Sequence, residues 1–156
     1  MAPTPELDTS TMVARLGLAL AMGAVIGWDR QRAGKAAGMR THMLISLGSC
    51  LFVLLPAGLG AQADALSRAI QGVATGVGFL GGGVILHHAR SPGGPAMVQG
   101  LTSAAAIWLT AALGVISACG LWRASAVAAG AALLVLVAGK PMEKLLFRGD
   151  ADDDQT

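Results

Sequence analysis

A chain of 156 residues with 54% hydrophobic and only 13% charged side chains carries about half the charge of an ordinary soluble domain. That composition excludes a water-facing globular surface, and the length leaves room for one compact bundle and no large soluble domain. The net charge of +2 says little in itself; where the charges fall says more.

Residues 1–8, MAPTPELD, lack the basic start of a cleaved signal peptide. They are expected to be an extracytoplasmic segment, with the apolar run behind them retained as a span. A helix needs about 20 mostly apolar residues to cross the hydrocarbon core, and five segments qualify. The first runs from about Thr9 to Trp28, with Thr9 or Ser10 able to cap it through a hydroxyl. Next comes the most polar stretch, "GWDRQRAGKAAGMRTHM", which holds Asp29, Arg30, Arg32, Lys35 and Arg40. The second helix runs from about Met39 to Gly58 and contains Cys50, read as a small buried thiol. The third runs from about Ser67 to His88 and the fourth from about Val98 to Ala118. The fifth runs from about Leu121 to Gly139 and is expected to stop at Pro141. So little chain separates the fourth from the fifth that a tight hairpin is expected. The transmembrane domain is placed at residues 9–140. Residues 141–156 form a short cytoplasmic tail whose acidic end, "GDADDDQT", is expected to be disordered.

Lys and Arg in short loops stay on the cytoplasmic side. Arg30, Arg32, Lys35 and Arg40 share the first loop, Arg90 the third, and Lys140, Lys144 and Arg148 follow the fifth helix. The opposite side has Arg68 and Arg123, with Arg15 just inside the first helix. The fold class is therefore all-α: a polytopic integral membrane helical bundle of about five transmembrane helices, N-terminus outside and C-terminus inside.

With that topology, polar residues gather in the cytoplasmic half. Arg30, Arg32 and Lys35 are needed there to set orientation whatever else they do. Asp29 and Arg40 flank the loop at spacing suited to an ion pair joining helices one and two. The N-termini of helices two and four carry partial positive charge and free N–H groups, which together with Arg40 favour an anion or a carbonyl oxygen. A cytoplasm-facing pocket lined by Asp29, Arg40, Thr41, His42, Gln99 and Thr102 is one expectation. Interhelical hydrogen bonding that only holds the bundle together is the other.

In "GVATGVGFLGGGVIL", Gly72 and Gly76 form one GxxxG step and Gly78 and Gly82 another. Such steps let helix backbones approach closely, within or between subunits. Gly81, Gly82 and Gly83 alternatively mark an unwound point of the kind that exposes carbonyls to a ligand. No Asp or Glu falls near the middle of any span, which argues against a proton relay or divalent-cation path through one subunit. His42, His87 and His88 lack the company of a metal site, although His42 at the cytoplasmic edge keeps pH sensing open. No nucleophile–base pair, phosphate loop or nucleotide fingerprint is visible, so neither an enzyme nor a nucleic-acid binder is expected, and no cofactor is implied.

At these residues the sequence resembles the MgtC/SapB family of bacterial inner-membrane proteins. "GAVIGWDRQRAGKAAGMRTHMLISLGSCLF", "GVGFLGGGVIL" and "VQGLTSAAAIWLTAALGVISACG" are similar to three ordered family blocks and span most of residues 17–120. The family's polar positions fall on Asp29, Arg30, Arg40, Thr41, His42 and Thr102. Its glycines fall on Gly38, Gly78, Gly81, Gly83 and Gly100, beside Leu101 and Trp108. Asp29 stands where Glu is usual, Ser103 where Thr is usual, and "HHARSPGGPAM" is longer than the usual loop. The resemblance implies a role in growth at low Mg²⁺, acid tolerance and survival inside host cells. It also implies that some members act on the F-type ATP synthase rather than moving Mg²⁺. Some members carry a C-terminal domain resembling an ACT module, which this sequence is too short to include. The expectation is an inner-membrane protein working through a partner or ligand at its cytoplasmic side; a small-ion transporter with Gly81–Gly83 on its path is the alternative. A homodimer is expected through the GxxxG steps.

Overall fold

The computed structural model describes residues 8–88 and 100–146, with side chains over 8–86 and 100–139. The described residues form five helices: α1 (Thr9–Arg32), α2 (Met39–Gly58), α3 (Ala63–His88), α4 (Leu101–Ala118) and α5 (Trp122–Leu146). Each has at least 18 residues apolar enough to cross a membrane, and no strand occurs among the described residues. Gln99, Arg90, Arg148 and the acidic tail lie outside the described residues.

Three boundaries depart from expectation. Helix α1 continues through Asp29, Arg30 and Arg32, so most of the anticipated loop charge is helical. Helix α3 starts at Ala63 rather than Ser67. Helix α5 continues past Pro141 to Leu146, because a proline removes one backbone hydrogen bond and need not end a helix. The α4–α5 hairpin is as tight as expected. Gly120 turns it at φ 72°, a conformation other residues rarely adopt.

Hydrophobic burial does not drive helix association inside lipid; close packing and hydrogen bonds do. Helix α4 accordingly sits at the centre and touches all four other helices, while α5 rests on α1 and α4 alone among the described residues. Two glycines of α1 give α2 its close approach. A Cβ on Gly23 would lie 2.7 Å from the His42 carbonyl oxygen, and one on Gly27 would lie 2.5 Å from Met39 Cα. Gly114 of α4 rests against the Ser46 carbonyl, where an added Cβ would collide with the oxygen. Two buried hydroxyls are satisfied within their own helix: Thr110 donates to Ala106 O and Ser117 to Leu113 O, both at 2.8 Å. Arg15 Nη1 reaches across to donate to Ala118 O at 2.8 Å, tying the last turn of α4 to α1.

Tryptophans prefer the membrane interface, and two mark the helix ends. Arg32 lies 5.1 Å from the Trp28 ring and Arg123 lies 5.0 Å from that of Trp122. The proposed orientation puts the α4–α5 turn outside. Cys119 is exposed there and Cys50 is buried. A membrane-impermeant maleimide added to intact cells with a permeable outer barrier is expected to label Cys119 and leave Cys50 untouched. Labelling of Cys119 only after the inner membrane is opened would reverse the topology.

Candidate functional site

The C-terminal end of α1 is decided by one helical face. Ala19, Gly23, Ile26, Gly27 and Arg30 are its buried residues, at the i, i+4, i+7, i+8, i+11 spacing of a single stripe. That stripe carries Arg30 into the bundle, where it is 2% exposed. A buried guanidinium needs a partner, and Asp29 supplies it. Arg30 Nε and Nη2 donate to Asp29 Oδ2 at 2.9 and 2.5 Å. The ion pair anticipated between Asp29 and Arg40 is therefore not the one formed. Adjacent helical residues do not face each other, but the long arginine folds back to its neighbour, leaving the Arg40 guanidinium without a carboxylate among the described residues.

Arg40 and Thr41 are exposed at the start of α2. With Gln31, Gly38 and Met39 they line an open polar pocket of about 460 Å³. Gly38 caps α2 without a side-chain hydrogen bond, so the first N–H groups of the helix need other partners. Gln31 Oε1 accepts one, from Met39 N at 3.2 Å. Gln31 is not among the expected site residues; its cue in the sequence is an amide one turn past Trp28 with a bare helix start opposite it.

The other anticipated lining residues are elsewhere. His42 is fully buried between helices, with Nδ1 2.9 Å from Gly38 O, because Gly23 and Gly27 press α1 onto it. Asp29 is held by Arg30, and Thr102 is exposed on the first turn of α4 outside this pocket. Arg30, read chiefly as an orientation charge, is instead a core residue.

Helix α3 is unbroken through Gly81, Gly82 and Gly83. Gly81 meets Ala104 of α4, 3.4 Å from its would-be Cβ, whereas Gly72, Gly76, Gly78, Gly82 and Gly83 face open space. Gly72 and Gly76 line an apolar groove of about 610 Å³ between α2 and α3, opposite Gly48, Ser49 and Phe52. Among the described residues no group of His, Cys, Asp and Glu could hold a metal ion.

Five apolar helices, with an ion pair closing one end of α1 and an open cationic pocket beside it, define a multi-pass membrane protein. The chain belongs to the MgtC family, whose profile matches residues 16–145, and is a multi-pass inner-membrane protein. It is 46% identical to protein SrpB of Synechococcus elongatus over 92% of this chain and 82% of that one. It is 38% identical to YhiD of Escherichia coli, whose name proposes a magnesium transporter, over 90% of this chain and 64% of that protein. It is 35% identical to protein MgtC of Salmonella typhimurium over 70% of this chain and 43% of that protein. The chain thus spans less than two thirds of the YhiD and MgtC proteins. No solved structure matches it significantly.

Proposed function

We propose that this protein supports adaptation to low Mg²⁺ or related stress by recognising an anionic group at its cytoplasmic face, on a partner protein or a ligand. One observation carries the reading: Arg30 takes the Asp29 carboxylate, so Arg40 stands free of it beside the first turn of α2 in an open pocket. A guanidinium, a hydroxyl and a helix N-terminus converging on one space favour a carboxylate or phosphate oxygen. The F-type ATP synthase, implied by the family resemblance, is a candidate partner. The open glycine face of α3 suits a second copy of the chain, since small residues allow close helix contact.

The magnesium connection rests on YhiD's name and on the family. That name also favours a second reading, small-ion transport. Against it, the two carboxylates whose side chains are described within the helices, Asp29 and Asp64, each already pair with an arginine.

Arg40→Ala is expected to keep the fold, because the side chain is exposed, and to weaken capture of the anionic group tenfold or more, the scale of a lost charged hydrogen bond. The test pairs two measurements: growth at low Mg²⁺ of a strain lacking its own family member, and Mg²⁺ flux in proteoliposomes. Lost rescue by Arg40→Ala, with no flux from folded wild-type protein, supports recognition. Saturable flux abolished by Arg40→Ala makes the pocket a transport gate and overturns the reading.

A further inference from the structure

Among the described residues, two buried polar atoms have no hydrogen-bond partner: His42 Nε2 and Ser46 Oγ. Both residues are 0% exposed, and they sit one turn apart on the same face of α2. An unsatisfied polar group away from water is costly, by about 1–3 kcal/mol on mutational scales, and two side by side ask for a common explanation.

Ser46 differs from three other helical hydroxyls. Thr75, Thr110 and Ser117 each donate to the carbonyl four residues back, Gln71, Ala106 and Leu113 respectively. The equivalent acceptor for Ser46 is His42 O, where Gly23 of α1 makes its close approach. Its own carbonyl is covered by Gly114 of α4. The Ser46 hydroxyl is thus left free in a place walled by two helix backbones.

The imidazole is fixed from its other side. Nδ1 faces the Gly38 carbonyl at 2.9 Å, and a carbonyl only accepts, so in the neutral ring Nδ1 carries the proton and Nε2 presents a lone pair. A lone pair and a hydroxyl are therefore oriented for a guest that both donates and accepts. Residues four apart on a helix lie on one face, one above the other, the placement that a single oxygen hydrogen-bonded to both groups requires. Elsewhere in the bundle the buried Thr110 hydroxyl is taken by Ala106 O and the Arg30 guanidinium by Asp29.

We propose that His42 Nε2 and Ser46 Oγ are the two ends of a buried water site, in which one water donates to Nε2 and accepts from the Ser46 O–H. The resulting chain of hydrogen bonds runs from Ser46 through the water and the imidazole to Gly38 O. Gly38 lines the cytoplasmic pocket, so the chain links the middle of the bundle to that pocket's wall. This inference stands whether or not the pocket binds an anion.

The test is nitrogen NMR of ¹⁵N-histidine-labelled full-length protein in lipid nanodiscs, with assignment of His42 and a water-edited experiment. The expected spectrum has Nδ1 protonated, Nε2 unprotonated, and magnetisation transfer from water to the His42 ring. Folded Ser46→Ala is expected to lose at least three quarters of that transfer. A ring protonated at Nε2 with Nδ1 bare, or a wild-type ring that receives nothing from water, overturns the proposal. So does full transfer persisting in folded Ser46→Ala. Should Ser46→Ala fail to fold, the wild-type spectrum alone decides.

Discussion

Gly114→Ala is expected to destabilise the protein by about 3 kcal/mol, the upper end of what an overpacked core site usually loses. The added methyl has nowhere to go, because the atom it meets is the Ser46 carbonyl oxygen, part of a helix backbone. A flexible side chain could swing aside; here α2 and α4 must separate. Separation would also loosen Ile107, Ala111 and Leu113, which are buried on α4. Gly23→Ala should behave similarly at the α1–α2 contact, since its Cβ would lie 2.7 Å from both His42 O and Met43 Cα. Gly76→Ala is the control. Nothing lies within 4 Å of its would-be Cβ, and alanine is the better helix former, so stability should be unchanged or slightly raised. Equilibrium unfolding in mixed detergent micelles compares the three. Equal effects at Gly114 and Gly76 would mean that the α2–α4 contact is looser than its geometry.

This contrast also marks how far the sequence could be read. The five spans were legible because an apolar run of sufficient length has few alternatives in a membrane; the expected start and end of α2, Met39 and Gly58, match. Which glycines pack was not legible. Gly72, Gly76, Gly78 and Gly82 form steps of the same spacing as Gly23 and Gly27, yet only the α1 pair is closed by a neighbouring helix. In lipid, the face toward another helix and the face toward acyl chains are both apolar, so hydropathy does not separate them. The polar cluster was legible as a region but not as a set of contacts. Arg40 and Thr41 reach the pocket, while one further residue along α2 turns His42 into the core. With Arg30 and Arg32 assigned to the loop, the stripe from Ala19 to Arg30 is cut short, and with it the burial of Arg30 is lost from view.

That burial sets the second large expectation. Removing one member of a buried ion pair leaves the other charge uncompensated and destabilises by about 3–5 kcal/mol. Asp29→Asn and Arg30→Ala are each expected to reach the lower end of that range, because Asp29 retains 23% exposure beside a 2% exposed Arg30. The double variant Asp29→Asn/Arg30→Ala should be less destabilised than the sum of the single changes, since neither charge is then stranded. The Asp64–Arg68 pair is the comparison. Both of its side chains are about two thirds exposed, and water and salt screen such pairs until little remains, so Arg68→Ala should leave stability nearly unchanged. A double-mutant cycle at each pair, read by unfolding in detergent, separates a pair that builds the bundle from one that decorates it. Additive effects at Asp29 and Arg30 would return Arg30 to the role of an orientation charge and free Asp29 to act in the pocket at the start of α2. Strong coupling would leave Arg40 as the cation available there.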